Sequence, residues 1–280
     1  MKSILQLVRI KVSLMVGLSS FAGACLFYHH ITIIHLYAVL SAIFLSFGCS
    51  ALNQYQESSV DSIMQRTKTR PIPSGVIKPY EAVIFGFAMV AMSVIMVYLS
   101  GTYQGYILIS VTILVYNLLY TPLKKKTPFA LLIGSIIGAF PPVLGYTILG
   151  GNIYDSRIIL IASILFLWQT PHFALLAEKY ASDYILAGFK TVTSIYGSKK
   201  SNIFINVWMA AYVAALFFIP FTEIYTYLDS AVIHLYMTLL SVVAFLVTQK
   251  SLKFRFISLN ISLALFFILL INDKITIFSL

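Results

Sequence analysis

From Ile34 to Gly75 the chain reads IHLYAVLSAIFLSFGCSALNQYQESSVDSIMQRTKTRPIPSG. The first part, Ile34 to Leu52, holds no acid, lysine or arginine and is about the length needed to cross roughly 30 Å of hydrocarbon. Lipid offers backbone groups no hydrogen-bond partner, so a run of this length must close its own bonds as a helix, being twice the length of a barrel strand. An amide, two acids and three basic residues follow at once, which places this polar end at the membrane surface.

Working outward, apolar runs of similar length recur over the whole chain. The expected spans are Lys11 to Phe27, Ile34 to Leu52, Ala82 to Leu99, Tyr103 to Tyr120, Phe129 to Leu149, Ile158 to Leu176, Ile203 to Phe221, Ala231 to Gln249 and Phe256 to Asn272. In the first, no small-x-small site precedes an exposed mature start and further spans follow at once, so it reads as span one and not as a signal. Of 280 residues, 60% are hydrophobic and 10% charged, against roughly 25% charged in soluble domains. The mean hydropathy is +0.92. A water-soluble fold could not hide that much apolar surface. No soluble module, low-complexity tract or sequence repeat interrupts the pattern, so residues 1–280 form one integral-membrane domain. Cys25 and Cys49 fall inside apolar runs with no closely spaced ligand partner and read as packing residues.

The charge pattern tests the span count. Basic residues gather at Lys2, Arg9 and Lys11, then at Arg66 to Lys78, Lys124 to Lys126, Lys179 to Lys200 and Lys250 to Arg255, which are alternate loops. Only Arg157 and Lys274 fall on the other side, so 17 of 19 basic residues share one face. The positive-inside rule makes that face cytoplasmic, with the N-terminus inside and the C-terminus outside. The net charge of +10 is thus a matter of topology; spread over short loops, it presents no nucleic-acid surface.

The polar end of the quoted stretch has a more specific arrangement. If the helix continues, Asn53, Glu57 and Asp61 are successive i, i+4 neighbours, and an amide and two carboxylates share one face over two turns. Oxygen donors of this kind suit Mg²⁺, which takes one or two carboxylates and completes its shell with water and phosphate oxygens. Arg66, Lys68 and Arg70 come next, before Pro71 ends the helix, and guanidinium groups beside metal-binding acids make a diphosphate site. An ordinary helix end with topology-setting charges would also use these residue types. Two further segments return to the same face. YNLLYTPLKKK offers Tyr120 and Lys124 to phosphate oxygens. WQTPHFALLAEKYASDY places His172 beside Pro171 within an apolar helix, with Lys179 near its end. Asp183 follows three helical turns after His172, on nearly the same face if the helix is unbroken. His29, His30 and His35 lie at the opposite face, either as interfacial residues or near a porphyrin.

Together these segments resemble the UbiA superfamily of intramembrane prenyltransferases, and more closely its haem O synthase branch. Asn53 to Pro71 is similar to that branch's N-x-x-x-[DE]-x-x-x-D-x-x-M-x-R-T-x-x-R-P. YTPLKK from Tyr120, GAFPPVLG from Gly138, WQTPHF from Trp168 and DYILAG from Asp183 resemble its other segments in order. The first motif alone indicates the superfamily; the R-T-x-x-R-P and W-Q-x-P-H-F segments point to haem. The likeness covers roughly residues 9 to 190. Glu57 stands where aspartate is commoner, Tyr180 and Tyr184 replace acids of quinone-type relatives, and FKTVTSIYG after Gly188 departs from the usual pattern.

The resemblance implies an all-α fold of nine transmembrane helices in a ring around a central cavity. It implies transfer of farnesyl from farnesyl diphosphate to a vinyl group of haem b, with haem b as substrate and Mg²⁺ as the cofactor. The expected catalytic residues are Asn53, Glu57, Asp61, Asp183 and His172, and the expected metal ligands Asn53, Glu57, Asp61 and Asp183. Diphosphate would be held by Lys11, Arg66, Lys68, Arg70, Tyr120, Lys124 and Lys179. Expected partners are membrane lipid and, downstream, a haem-modifying enzyme or terminal-oxidase assembly, with no nucleic acid. The absence of a transit-like presequence points to a bacterial inner membrane. Two other readings compete: a quinone-type prenyltransferase of the same fold, and a secondary transporter, whose polar groups would lie near the bilayer midplane.

Overall fold

A computed structural model describes residues 2–249 and 251–275, so Lys250 of the basic cluster lies outside the described residues. Among those described, nine helices are long and apolar enough to cross a membrane: α1 Ile10–Phe27, α2 Ile33–Gln56, α3 Pro79–Ser100, α4 Gln104–Leu123, α5 Ala130–Ile148, α6 Ser156–Lys179, α7 Val192–Phe221, α8 Leu228–Val247 and α9 Leu252–Lys274. The chain is a multi-pass membrane protein, all-helical over the described residues.

Eight helices begin within four residues of the expected spans. The exception, α7, starts at Val192 and not near Ile203. Its start is set by a reciprocal cap: the Thr191 hydroxyl oxygen accepts from the Ser194 amide at 3.0 Å, and Ser194 Oγ accepts from the Thr191 amide at 2.7 Å. Satisfying the first free amides begins a helix whether or not the next turns are apolar. Gly197, at φ 78° and ψ 163°, then bends the chain before the apolar part.

The helices close on one another. α2 packs along α3 and α1, α1 runs against α5, α6 packs on α7, α8 on α9, and α9 returns to α1 and α6. With no hydrophobic drive between helices in lipid, small residues that let backbones approach carry the packing. The closest approach joins α1 and α5. A Cβ on Gly23 would lie 1.9 Å from the carbonyl oxygen of Pro142, and one on Gly145 would lie 1.9 Å from that of Ser20. Between α2 and α3 the small residues also bond: Ser93 Oγ donates to the Ser41 carbonyl at 2.8 Å, with the two hydroxyls 2.9 Å apart. Cys25 and Cys49 are buried free thiols in this core, as expected.

At the sparsely charged rim both basic exceptions are neutralised. Arg157 pairs with Asp155 at 2.7 Å and Lys274 with Asp273 at 3.2 Å. His35 has a structural task there: Nδ1 accepts from the Thr32 amide at 3.2 Å, and Nε2 lies 3.0 Å from the Tyr28 carbonyl, which ties the α1–α2 turn. His30 is exposed and meets Tyr28 edge-on.

Candidate active site

The end of α2 forms one wall. The helix loosens at Glu57 (φ −100°, ψ 5°), yet the i to i−4 ladder passes through the three key residues. The Glu57 amide donates to the Asn53 carbonyl at 2.9 Å, and the Asp61 amide to the Glu57 carbonyl at 2.7 Å. Asn53, Glu57 and Asp61 therefore stay stacked, all buried.

α4 closes on this wall through a widened turn. Leu114–Tyr120 is π-helical, a form that adds a residue per turn and recurs at functional sites. It directs buried Asn117 to Gln56 in a reciprocal amide clamp: Gln56 Nε2 donates to the Asn117 carbonyl at 3.0 Å, and Asn117 Nδ2 to Gln56 Oε1 at 3.2 Å. Asn53 Nδ2 donates to Thr121 Oγ1 at 3.1 Å. One turn on, Lys124 Nζ reaches Glu57 Oε1 at 2.5 Å and sits 4.6 Å from the centre of the Tyr120 ring. That ring lies so close to Gly134 that a Cβ there would be 2.7 Å from it. Burial alone raises the Glu57 carboxyl, but Lys124, Arg9 and Arg70 outweigh it and hold the group below the usual glutamate value, ionised at neutral pH.

The loop after α2 supplies more cations. Arg70 Nη1 pairs with Asp61 Oδ2 at 2.6 Å, and the Thr67 hydroxyl donates to the Asp61 carbonyl at 3.0 Å. The Arg66 amide donates to Asp183 Oδ2 at 3.0 Å, which ties Asp183 to the loop that follows α2. The Arg66 guanidinium lies over Tyr180 at 5.1 Å and Tyr184 at 5.8 Å. The tyrosines at the departed acidic positions therefore hold an arginine by cation–π contact.

One participant was not among the expected ligands. Arg9, just before α1, adopts the left-handed conformation (φ 49°, ψ 52°), rare outside glycine. Gln54 Nε2 stabilises that break by donating to the carbonyls of Gln6 and Leu7 at 3.0 and 2.7 Å. Arg9 Nη2 can then donate to Asn53 Oδ1 at 2.8 Å. Its sequence signal is a basic residue at the mouth of the first span, where topology alone accounts for the charge.

Other expected residues are placed differently. Lys11 and Lys68 are exposed, and exposed Lys179 lies over Tyr180 at 5.1 Å. The shared face expected for His172 and Asp183 is not formed, because α6 stops at Tyr180 (φ −115°, ψ 34°) and Asp183 belongs to a separate short helix, Ala181–Leu186. His172 instead sits between aromatic rings, 4.6 Å from Trp168 and 4.8 Å from Phe256. Four cations (Arg9, Arg66, Arg70, Lys124) and three carboxylates (Glu57, Asp61, Asp183) thus meet at one rim, not at the bilayer midplane. Among the described residues no three His, Cys, Asp or Glu side chains form a ready metal cage.

Among the described residues, nine apolar helices pack together and gather buried acids and phosphate-suited cations at one rim. The chain belongs to the UbiA prenyltransferase family, whose model matches residues 14–271. It is 33% identical over 97% of its length to the protoheme IX farnesyltransferase of Nitratidesulfovibrio vulgaris, covering 94% of that protein. It is 36% identical over 77% of its length to the protein of that name from Geobacter sulfurreducens, covering 80% of it. In fold it is similar to a UbiA homolog from Archaeoglobus fulgidus solved with GPP and Mg²⁺, at a TM-score of 0.74, 17% identity and coverage of 97% of this chain and 99% of that one. A digeranylgeranylglyceryl phosphate synthase superposes at a TM-score of 0.72, 18% identity and coverage of 99% of each chain.

Proposed function

We propose that this chain transfers the farnesyl group of farnesyl diphosphate to a vinyl group of haem b, giving haem O. The observation that carries the reading is the stacked Asn53, Glu57 and Asp61 wall, braced by Arg9, Lys124 and Arg70; the choice of haem as acceptor is supported by the names of the relatives. The donor set fits Mg²⁺: the oxygens are hard, two acids stand on one wall, and an ion that keeps water and phosphate oxygens in its shell needs no full protein cage. Glu57 and Asp61 would hold it, with Asn53 and, from the facing side, Asp183. Bound there, Mg²⁺ would neutralise charge on the leaving diphosphate.

The chain's own residues do the rest. Arg9, Arg66, Arg70 and Lys124 bind the diphosphate oxygens and stabilise the charge that develops as the C1–O bond breaks, its electron pair leaving with diphosphate. The Tyr120 ring, backed by Phe173, faces the allylic cation and excludes water from it. The vinyl π-electrons form the new C–C bond to C1. Water then adds to the benzylic-type cation of the porphyrin side chain and loses a proton, so farnesyl diphosphate, haem b and water become haem O and diphosphate. The basic rim faces the cytoplasm, the N-terminus lies inside and the C-terminus outside, and the membrane is a bacterial inner membrane.

The test is to express the protein in cells that make haem b and to separate the extracted haems by reversed-phase chromatography. A more strongly retained haem of hydroxyethylfarnesyl mass is expected from wild type and not from Asp61→Asn. Unchanged haem accompanied by prenylated quinone overturns the reading. With purified protein, a chelator should reduce farnesyl transfer to background, and excess Mg²⁺ should restore it. Full activity in excess chelator would show that the rim cations suffice alone.

A further inference from the structure

Between α6, α7 and α9 lies a polar band separate from the rim wall. Arg255, in the first turn of α9, is only 2% exposed. Its Nη1 donates to Asn202 Oδ1 at 2.9 Å and its Nη2 to Asn206 Oδ1 at 2.5 Å, from residues one turn apart on α7. Among the described residues its Nε has no acceptor, and no carboxylate lies within 4 Å of the guanidinium. Glu178, whose charge reaches Arg255 only from beyond ion-pair distance, is itself engaged by the Thr193 hydroxyl at 2.5 Å. A cation taken from water costs several kcal/mol unless paired, and amide carbonyls orient it without neutralising it. A guanidinium held in this way is suited to an anion that arrives with a ligand.

A line of rings leads to it from the rim. Lys124 lies over Tyr120, Tyr120 stacks on Phe173 at 6.4 Å, Phe173 meets His172 at 6.0 Å, and His172 meets Phe256 at 4.8 Å, next to Arg255 in the chain. Trp168, 4.6 Å from His172, is fixed by its Nε1–H to the Leu259 carbonyl at 2.9 Å. His172 Nδ1 has no partner among the described residues. The series of rings that starts at Lys124 thus ends on the residue next to Arg255 in the chain.

We propose that Arg255, oriented by Asn202 and Asn206, receives a carboxylate of the acceptor substrate, which with haem b is a propionate. This rests on haem b being the acceptor. Propionates are the ionised groups of an otherwise flat, apolar macrocycle. One of them would take the free Nε–H and an Nη–H together, the bidentate geometry favoured by guanidinium, releasing one asparagine carbonyl. A lipid phosphate has the same chemistry and is the alternative source.

The full-length protein in nanodiscs, titrated with protohaem IX and with its dimethyl ester and followed in the Soret band, separates these cases. Wild type should bind the ester about tenfold more weakly than the free acid, the loss of one charge-assisted pair. Arg255→Gln should bind both ligands equally and about as weakly as wild type binds the ester. Arg255→Lys should recover part of the preference, and the KM for farnesyl diphosphate should stay within about twofold in both variants. The proposal is overturned if Arg255→Gln weakens acid and ester alike, or raises the KM for farnesyl diphosphate as much as that for haem. It is also overturned if esterification has no effect on wild type while exchanging phosphatidylglycerol for phosphatidylcholine does, which assigns Arg255 to lipid. Absence of any Soret change with wild type overturns the acceptor reading itself.

Discussion

Asp61→Asn should lower kcat for farnesyl transfer by about 10³-fold while leaving the protein folded. The carboxylate stands in two relationships at once, as the 2.6 Å partner of Arg70 and as the third oxygen group on the α2 wall. Asparagine keeps the volume and one acceptor oxygen but not the charge. Loss of a single preorganised electrostatic group facing a developing charge typically costs 10² to 10³ in rate, and here the change also weakens the hardest metal donor available. The effect on stability should be smaller. The Arg70 side chain is 20% exposed, so its unpaired charge keeps some water, and the cost should be about 1–2 kcal/mol, less than the 3–5 of a fully buried pair. Asp61→Glu should regain part of the rate. A kcat within tenfold of wild type, or a melting transition lowered enough to account for the loss, would exclude the role given to Asp61.

The second large effect concerns the fold and not the chemistry. Gly23→Ala should lower the melting temperature in detergent by about 10 °C, from a loss of about 3 kcal/mol. The added methyl would meet the Pro142 carbonyl oxygen at 1.9 Å, and neither backbone can yield without moving α1 from α5. Gly75→Ala is the contrast: it has open space around it and only its positive φ to resist the side chain, which costs about 1 kcal/mol. Equal melting shifts for the two variants would disprove the close crossing.

Spans and rim were legible because bilayer thickness and charge translocation act on composition, which a sequence displays directly. The stacked amide and acids were legible because α-helical spacing is regular. The features that escaped are those with no compositional trace. A π-turn at Leu114–Tyr120 uses the same residue types as an α-turn. The left-handed Arg9 depends on Gln54, 45 positions later in the chain, reaching its neighbouring carbonyls. The break at Tyr180 separates His172 from Asp183 although an unbroken helix would have aligned them. Arg255 lay in a basic cluster that topology already explained, and only its burial against two asparagines sets it apart.

The pairing of rim acids with rim cations bears on turnover as well as on binding. Glu57 and Asp61 already hold Lys124 and Arg70, so an incoming anion must displace internal rivals. A less highly charged anion such as sulfate would gain less from that exchange, whereas a diphosphate arriving with a divalent ion would give the acids a new partner as it took the cations. The same rivalry runs in reverse after farnesyl transfer. On the proposed assignment, each carboxylate would recapture its cation as inorganic diphosphate loosens, so the protein itself would compete with its product and clear the rim for another cycle.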